Sequence, residues 1–352
     1  QFPHSLQTIM TEKYRLIGAE LSPYSIKVRS YLRFKKIPFK WILKNRGAAA
    51  EFKRYAKLPI VPLLITPDGE GWQDSTPMLD RLEQQFPTPI AQPSEPALAF
   101  ISLLLEEYAD EWGNKHMFHH RWKEEADQNS ASLRLAEMQM PLVLRYIPIA
   151  NSIISARIAT MIKTRMSGRA WVIGSNENTE GRIEASFRNL LGLLEAHLEN
   201  RKYLFGGQPC FADFGLWGQI YTAWTDPTVS KLIDKEYSGL RPWLNRMTNP
   251  KNSGDFESLA GLSPTLEPIL VSELAGTFLP WSAAVSDSMA QGAEELNVEI
   301  GGEPFVHSLG GPQKYHVKSL AMLREKYNKY AGDAELDAIL LRTGCKPFLI
   351  SA

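Results

Sequence analysis

The hydrophobic pattern separates a mixed first quarter of the chain from a helical remainder. Over residues 12–87, short apolar runs alternate with amphipathic stretches in the order strand, helix, strand, helical connector, strand, strand, helix. Residues 98–122 instead place apolar side chains at three- and four-residue steps, and residues 182–200 repeat that spacing. The pattern therefore predicts a small α/β domain followed by an all-α domain.

Turn-forming residues indicate where these domains begin and end. Four prolines within ten residues predict a linker over residues 88–96. The α/β domain then covers residues 12–87 and the helical domain covers residues 97–254, which leaves a carboxyl-terminal extension over residues 255–352. Residues 1–11 have neither an apolar signal core nor a starting Met, so we expect a leader or disordered tail outside the fold.

Composition and charge narrow the possible classes of function. A chain of 352 residues can bury a sizeable core and form more than one domain. Lys plus Arg and Asp plus Glu both number 39, and the absence of a long basic run argues against nucleic acid as the main partner. Cys210 and Cys345 lie far apart in the sequence, which excludes a disulfide framework or zinc site and fits a reducing compartment.

The most apolar window of the chain covers residues 141–162. Arg145, Asn151 and Arg157 interrupt this window, and a membrane span accommodates such residues poorly. Two prolines also break the stretch. We therefore predict a largely buried helix here and no membrane span.

Three histidines on one predicted helix raise the question of a metal site. His116, His119 and His120 are spaced so that they share a helix face. A zinc site needs further ligands at familiar spacing, and no acidic residue stands at such a spacing here. We expect core or surface histidines and no bound metal.

The turn at Ser22-Pro23 carries the most chemical information. An apolar strand precedes it, and a helix from about Tyr24 to Lys35 follows. Proline suits the first turn of a helix because its φ is fixed and its missing N–H is not needed there. The Ser22 hydroxyl would lie at the positive end of the helix dipole, where an anion such as a thiolate is favoured. The alternative is that Ser22 simply caps the helix.

Residues 22–25, Ser-Pro-Tyr-Ser, resemble the Cys-Pro-Tyr-Cys redox turn of glutaredoxin-like folds, with Ser22 and Ser25 in place of the cysteines. Without sulfur the turn cannot exchange disulfides. It is similar to the corresponding turn of serine-type glutathione transferases. This resemblance implies a thioredoxin-like first domain in which Ser22 is catalytic and donates a hydrogen bond to the glutathione thiolate, while Tyr24, at the helix opening, belongs to the glutathione site.

Two downstream motifs extend the resemblance. Val61-Pro62 opens the third strand, and the resemblance implies a cis bond there and backbone hydrogen bonds from Val61 to the cysteinyl part of glutathione. Asp74-Ser75 precedes a helix; Ser75 and nearby N–H groups would bind the γ-glutamyl carboxylate, and Asp74 its ammonium. The alternative is an ordinary helix cap. The resemblance also implies that Lys57 belongs to the glutathione site, as one candidate cation for the glycyl carboxylate.

The contacts with the glycyl carboxylate depend on a part of the sequence that departs from the family pattern. Lys44 and Arg46 are further candidates for the glycyl carboxylate, and solvated surface cations are the alternative. Many transferases carry Asn-Pro where this chain has Ala56-Lys57. This departure leaves the glycyl contacts open.

The resemblance also assigns residues of the helical domain. Tyr108 and Trp112 are implied to line the pocket of the electrophilic second substrate. Asp213 matches the acidic residue of a family motif in which a capping box starts a buried helix, so its expected role is structural. Cys210 stands where the family has Ser or Thr, and its thiol is a poor acceptor.

The extension exceeds the usual two-domain plan. Its pattern predicts helices over residues 266–292 and 314–330, and a hairpin over residues 297–306 around Gly301-Gly302. The extension could cover a dimer face or roof the second-substrate pocket, and its sequence does not choose between these positions.

Together these features predict a cytoplasmic, homodimeric glutathione transferase active in detoxification. Glutathione would be the co-substrate, without a metal, and its sulfur would attack a hydrophobic electrophile or a peroxide. One alternative is a non-catalytic protein that binds glutathione or a hydrophobic ligand on the same fold. A second is an interaction module with a vestigial pocket.

Overall fold

A computed structural model describes residues 13–140, 148–310 and 313–350. The predicted leader over residues 1–11 lies outside the described residues. The same is true of residues 141–147, the first part of the most apolar window.

The first domain has the predicted thioredoxin-like order. Its described elements are β1 (Tyr14–Gly18), α1 (Pro23–Phe34), β2 (Phe39–Leu43), α2 (Ala49–Tyr55), β3 (Leu63–Ile65), β4 (Gly71–Gln73) and α3 (Ser75–Gln85). The strands form a sheet in the order β2-β1-β3-β4, in which β1 and β2 are parallel and the β1–β3 and β3–β4 pairs are antiparallel.

Alternating apolar side chains explain why this sheet can be covered on both faces. Leu16 on β1 stands opposite Leu64 on β3, and both join the main core beneath α1. Ile17 stands opposite Leu63, and this pair packs with Phe52 of α2. Successive strand residues point to opposite faces, so one short strand serves two layers.

A helical domain follows, as predicted. Its described helices are α4 (Pro96–Tyr108), α5 (Asn114–Lys123), α6 (Glu125–Gln139), α7 (Pro148–Ser167), α8 (Glu180–Leu198), α9 (Phe211–Trp224), α10 (Pro227–Glu236) and α11 (Arg241–Arg246). A π-helical segment, Ala109–Gly113, joins α4 directly to α5. A short 3₁₀ turn, Ala170–Ile173, lies between α7 and α8.

The prediction of a largely buried helix over residues 141–162 is wrong for its described part. Helix α7 packs mainly on α6, and it leaves Ile153 half exposed and Met161 73% exposed. One neighbouring helix can cover only one side of α7, because a helix exposes every face that lacks a packing partner.

Asp213 connects three parts of the helical domain. Its carboxylate accepts hydrogen bonds from the backbone N–H groups of Leu204 and Cys210 and from Nε1 of Trp243, at 2.9 to 3.0 Å. Cys210 is the N-cap residue of α9 and is fully buried. The carboxylate therefore supplies acceptors at a helix start whose own cap residue is a thiol.

The predicted extension begins with a long, interrupted helix. Its described elements are α12 (Leu259–Ile269), a π-helical segment (Leu270–Phe278), α13 (Leu279–Ala290), β5 (Glu295–Ile300), β6 (Glu303–Ser308), α14 (Gln313–Asn328), α15 (Ala334–Arg342) and α16 (Lys346–Leu349). Strands β5 and β6 form an antiparallel hairpin, and Gly301 and Gly302 both have positive φ at its turn.

The extension shares the hydrophobic core of the rest of the chain. One cluster of buried side chains reaches from Tyr14 on β1 to Leu349 on α16. Phe100 of α4 stacks edge-to-face on Tyr327 of α14, with ring centroids 5.4 Å apart. The helix Leu259–Ala290 is long and apolar enough to cross a membrane, but 56% of its most apolar window is buried within the protein. Burial in the core accounts for that apolar composition.

Candidate functional site

A cavity of about 510 Å³ lies between the first domain, the α4–α5 junction and the extension. Val61, Pro62 and residues 71–77 border it on one side. Glu107, Asp110, Glu111 and Lys115 border it from the helical domain, and the outer wall comes from α14. Three separate parts of the chain therefore meet around one space.

The structure brings together the residues that the sequence assigned to a glutathione site. All of them border this cavity: Tyr24, Lys57, Val61, Pro62, Asp74 and Ser75. The Val61–Pro62 peptide bond is cis. Among the described residues, none forms a hydrogen bond with the backbone N–H or C=O of Val61. A ligand with peptide-like groups can therefore pair with this backbone.

Gln73 fixes the loop that leads to Val61. Its Oε1 accepts hydrogen bonds from the N–H groups of Lys57 and Leu58, at 2.8 and 2.9 Å. Its Nε2 donates to the carbonyls of Leu58 and Ile60 at 2.8 Å. One amide thus replaces four backbone partners in a loop without its own ladder. The only signal for this role was a polar residue at a strand end.

The turn into α3 has an unusual backbone. Asp74 has a φ of 76°, which a residue with a side chain rarely adopts, and Ser75 begins the helix directly after it. Ser75 is buried against the cavity. Non-glycine residues in this conformation cluster at ligand sites, where surrounding structure holds the strain. The Asp74 carboxylate accepts a hydrogen bond of 2.7 Å from the Tyr315 hydroxyl.

The two hydroxyls at the start of α1 have different surroundings. Ser22 is the N-cap residue, and its Oγ accepts a hydrogen bond of 3.3 Å from the Ser25 N–H. Among the described residues that border the cavity, Tyr24 is present and Ser22 is not. The Tyr24 hydroxyl donates to the Asp110 carbonyl at 2.8 Å. Burial raises the pKa of Tyr24 well above its ordinary value, so this phenol stays protonated and acts as a donor.

Lys44 and Arg46, the other candidates for the glycyl carboxylate, are not among the described residues that border the cavity. The Lys44 ammonium donates to the Pro59 carbonyl at 2.7 Å and lies 4.2 Å from the centroid of the Phe52 ring. Arg46 is exposed in a 3₁₀ turn. Lys57 is exposed and borders the cavity, so it is the best placed of the three.

Tyr108 and Trp112 lie in the core of the helical domain. Both are fully buried, and neither is among the described residues that border the cavity. Tyr108 donates to Glu273 at 2.8 Å, and Trp112 donates to the Ser186 hydroxyl at 2.9 Å. The cavity side of the same segment is formed by Glu107 and by neighbours in the π-helical turn. This wall of the cavity therefore comes from adjacent positions, Glu107 and Glu111, one residue before each predicted one.

A buried ion cluster supports the floor of the cavity. The Lys27 ammonium on α1 is 1% exposed and lies 2.6 Å from both Glu106 and Asp110. The Thr76 hydroxyl donates to Glu106 at 2.8 Å. Burial raises the pKa of Asp110 to about 7, although the Lys27 charge opposes this rise. Burial also disfavours the charge of Lys27, but the two carboxylates outweigh it and raise its pKa. The sequence did not reveal this cluster, because a lysine in a helix is normally exposed.

Lys115 is a second buried lysine, and it borders the cavity. Its ammonium donates to the Ile173 carbonyl at 2.5 Å and lies 4.1 Å from the centroid of the Trp281 ring. Burial lowers the pKa of Lys115 to about 7, although the charge of Glu111 opposes this change. Its side chain is 1% exposed.

Helix α14 closes the cavity from the outside through polar contacts with the other walls. Tyr315 contacts Asp74, His316 contacts Glu111, Ser319 contacts Glu107 and Lys326 contacts Asp80. Of the two positions that the sequence left open for the extension, the structure therefore places α14 over the pocket.

The three histidines on α5 have other partners. Nε2 of His116 lies 3.0 Å from the Ser186 hydroxyl, and Nδ1 of His119 lies 2.8 Å from that of Ser175. Nδ1 of His120 donates to the His116 carbonyl at 2.8 Å. Burial lowers the pKa of all three. Within residues 13–140, 148–310 and 313–350, no group of three or more His, Cys, Asp or Glu side chains could hold a metal ion.

Comparisons with solved structures found similarities of low identity. A glutathione S-transferase from Methylobacterium radiotolerans JCM 2831, in complex with glutathione sulfonate, is 20% identical over 70% of this chain and 99% of that chain, with a TM-score of 0.36. FzlA from C. crescentus is 17% identical over 73% of this chain and 92% of that chain, with a TM-score of 0.44. Maleylacetoacetate isomerase from Anaeromyxobacter dehalogenans 2CP-1 is 19% identical over 73% of this chain and 90% of that chain, with a TM-score of 0.38.

Family models give the stronger comparison. No curated protein matches the chain. The model of the glutathione S-transferase amino-terminal domain matches residues 16–90, which contain the Ser22 turn, cis-Pro62 and Ser75. The model of the glutathione S-transferase carboxyl-terminal domain matches residues 176–246, which contain Asp213. Residues 16–90 and 176–246 therefore belong to the two domains of the glutathione transferase family, and the chain adds a carboxyl-terminal extension to them.

Proposed function

We propose that this protein binds glutathione in the 510 Å³ cavity and uses its thiolate to attack a hydrophobic electrophile. The observation that carries this proposal is the free Val61 backbone beside cis-Pro62, on the same cavity as Ser75 and Lys57. These groups match the three parts of the tripeptide. The backbone of Val61 pairs with the cysteinyl unit, Ser75 and the α3 amides bind the γ-glutamyl carboxylate, and Lys57 binds the glycyl carboxylate.

Thiol activation comes from the start of α1. A free thiol has a pKa of about 8.5, so few molecules are ionised at neutral pH. The Ser22 oxygen uses a lone pair to accept from Ser25, which leaves its proton for donation to the thiolate. A hydrogen bond to a charged group contributes roughly 1.5 to 3 kcal/mol, or about one to two pKa units at about 1.36 kcal/mol each. Such a shift brings the pKa of the thiol to about 7, where a large share of the thiol is ionised.

The reaction then follows from the chemistry of the thiolate. Its sulfur forms a bond to an electrophilic carbon, the leaving group departs with the bonding electrons, and the thiol proton passes to solvent. With a peroxide, sulfur attacks oxygen and an alkoxide leaves. A second glutathione then converts the sulfenic acid to a disulfide and water.

Removal of the Ser22 hydroxyl tests this mechanism. We expect Ser22→Ala to lower turnover of a model electrophile at least about tenfold, with little change in glutathione affinity, because the hydroxyl acts on the thiolate. Ser258→Ala is a matched control: Ser258 caps α12 in the extension with the same 3.3 Å bond, to the Gly261 N–H, and has no part in the proposed thiol activation. Unchanged turnover in Ser22→Ala would remove Ser22 from the mechanism and point to Tyr24, which Tyr24→Phe then tests.

A second candidate function is binding without turnover. The hydrogen bond between Tyr315 and Asp74 favours it, because the protein's own hydroxyl already occupies the group assigned to the γ-glutamyl ammonium. Calorimetry with glutathione, followed by a panel of electrophiles, separates the two functions. Binding together with turnover supports the enzyme, whereas binding without turnover of any electrophile supports the second candidate.

We propose further that this protein is a cytoplasmic, homodimeric enzyme of detoxification. Glutathione is abundant as a thiol in reducing compartments, and the free Cys210 and Cys345 suit such a compartment. Light scattering of the purified chain tests the dimer, and a monomer at micromolar concentration would contradict it.

A further inference from the structure

We propose that the compartment between α5, residues 172–173 and α14 binds an electrophile that carries a carboxylate, and that Lys115 holds this carboxylate. The inference rests on the proposed function and names the substrate class of the same site. Lys115, Val172 and Ile173 border the cavity together with Met322 of α14. The compartment therefore offers one cation beside apolar side chains.

Lys115 has unused capacity to donate hydrogen bonds. An ammonium carries three N–H groups, and one of them donates to the Ile173 carbonyl. The Trp281 ring lies on another side of the ammonium, with its centroid 4.1 Å from Nζ, and stabilises the charge by a cation–π interaction. Among the described residues, no carboxylate lies within ion-pair distance of Lys115. A buried cation without an anion is costly, and a bound carboxylate would supply the missing partner.

Trp281 holds the Lys115 ammonium in a fixed place. Its Nε1 donates to Nε2 of His307 at 3.3 Å, and Nδ1 of His307 donates to the Ser308 carbonyl at 2.9 Å. Burial lowers the pKa of His307 to about 4, which keeps this imidazole neutral and able to accept. The His316 ring meets the indole edge-to-face at 4.8 Å. The ammonium thus lies on a platform that is fixed before any ligand arrives.

The acidic residues around the cavity do not serve as partners of Lys115. Glu107 contacts Ser319, Glu111 contacts His316, Asp110 is paired with Lys27, and Asp74 is bonded to Tyr315. Burial also raises the pKa of Glu107 well above its ordinary value, which favours its neutral form. A ligand anion in the compartment therefore meets one cation whose nearest acids are already engaged.

The other cavity cations have their own places. Lys57 lies in the loop before Val61, and the Arg81 guanidinium on α3 lies 5.1 Å from the centroid of the Trp72 ring. Lys326 of α14 pairs with Asp80. Under the proposed function Lys57 binds the glycyl carboxylate of glutathione, and α3 provides the amides for the γ-glutamyl carboxylate. Lys115, on the helical domain, is left for the second substrate.

A pair of aryl chlorides tests the proposal directly. 4-Chloro-3-nitrobenzoate and its methyl ester share the reacting carbon, and only the first carries a charge. In both, the carbon–sulfur bond forms, the carbon–chlorine bond breaks, chloride leaves with the electron pair and the thiol proton goes to buffer. The full-length protein and Lys115→Met are compared, with each kcat/KM divided by the uncatalysed rate for that compound. Lys318→Met, an exposed lysine of α14, is the control.

We expect the wild-type protein to prefer the carboxylate at least about tenfold, since a charge-assisted hydrogen bond contributes roughly 1.5 to 3 kcal/mol. Lys115→Met should lose this preference, because its kcat/KM should fall much more for the carboxylate than for the ester. Lys318→Met should behave as wild type. Equal losses for both compounds, or no preference in the wild type, would overturn the inference.

Calorimetry keeps this test separate from the proposed function. The same two compounds are titrated into the protein saturated with S-methylglutathione, which cannot react. The inference is supported if the wild-type protein binds the carboxylate selectively and Lys115→Met abolishes this binding, even when neither compound is turned over. In that case the transferase proposal fails and the inference stands. Equal affinity of wild type and Lys115→Met for the carboxylate overturns the inference while turnover of the ester still supports the transferase. Glutathione titration and thermal unfolding show that the variant is folded.

Discussion

The Tyr315 hydroxyl donates a hydrogen bond of 2.7 Å to the Asp74 carboxylate and thereby joins the extension to the turn that opens α3. Asp74 is the residue assigned to the γ-glutamyl ammonium, and its backbone already has the unusual φ of 76°. Two parts of the chain that are distant in sequence therefore converge on one proposed contact with the ligand.

Tyr315→Phe should strengthen the binding of glutathione. The variant removes the internal donor to the Asp74 carboxylate, so the ammonium of glutathione no longer competes with the Tyr315 hydroxyl for that carboxylate. Tyr315 is half exposed, so the gain should be modest, about threefold to tenfold in Kd, below the roughly 1.5 to 3 kcal/mol of a fully buried charged hydrogen bond. Calorimetry at constant pH measures this change.

A second tyrosine of the same helix supplies the control. Tyr327 donates to Asp337 at 2.8 Å, and it is not among the described residues that border the cavity. Tyr327→Phe should leave glutathione affinity unchanged. Weaker binding in Tyr315→Phe would show that Tyr315 holds Asp74 in the binding geometry instead of competing for it.

Lys27→Met should destabilise the fold strongly. The substitution leaves Glu106 and Asp110 buried without their cation, and one oxygen of each already lacks a hydrogen-bond partner among the described residues. Breaking a buried ion pair from one side typically costs about 3 to 5 kcal/mol. Urea unfolding measures the loss of stability. The control is Lys40→Met, at an exposed position of β2, which should change the free energy of unfolding by less than about 0.5 kcal/mol. A small effect of Lys27→Met would mean that both acids are protonated in the fold.

Lys115 should make stability increase with pH above neutrality. Its pKa is about 7 in the folded protein against an ordinary 10.5. Between these values the unfolded chain binds a proton that the folded protein does not, so the free energy of unfolding rises with pH. At about 1.36 kcal/mol per unit, this shift corresponds to about 5 kcal/mol of destabilisation below pH 7.

Lys115→Met removes this penalty. The variant should be more stable than the wild type at pH 7, and the difference should shrink toward pH 10. Urea unfolding at several pH values measures both curves. A difference that stays constant with pH would show that Lys115 does not titrate in this range.

Asp213→Asn should destabilise the helical domain without a direct effect on the site. The amide keeps one acceptor and turns its NH2 group either toward the Cys210 N–H or toward the Leu204 and Trp243 N–H groups, which also donate. Loss of buried hydrogen bonds to a charged group should cost about 2 to 4 kcal/mol. Thermal unfolding measures the effect, and Asp234→Asn, at an exposed pair with Arg241, is the control. Unchanged stability would contradict the structural role of Asp213.

Local signals explain what could be predicted from the sequence. Ser22-Pro23, Val61-Pro62 and Gly301-Gly302 each restrict the backbone at their own position, so the turns and the element order around them were predictable. The residues assigned to the proposed glutathione site follow the same turns, and for that reason they lie around one cavity.

Contacts between distant segments were not predictable in the same way. Helix α4 is apolar on several sides, so its sequence does not mark the face that meets the cavity. The π-helical segment Ala109–Gly113 then changes the register of the positions that follow it. Tyr108 and Trp112 therefore point into the core, and Glu107 and Glu111 reach the cavity. The partners of α14 depend on tertiary contacts, for which the sequence has no periodic signal.

The shared wall between α1 and α14 has a consequence for biosynthesis. Tyr24 leaves the ribosome well before Lys326, and both border the same cavity. A ligand that binds only the folded state stabilises only molecules in which its pocket exists. Any chaperone-like rescue of this protein by its ligand must therefore wait until Lys326 has left the ribosome, and shorter nascent chains cannot benefit from it.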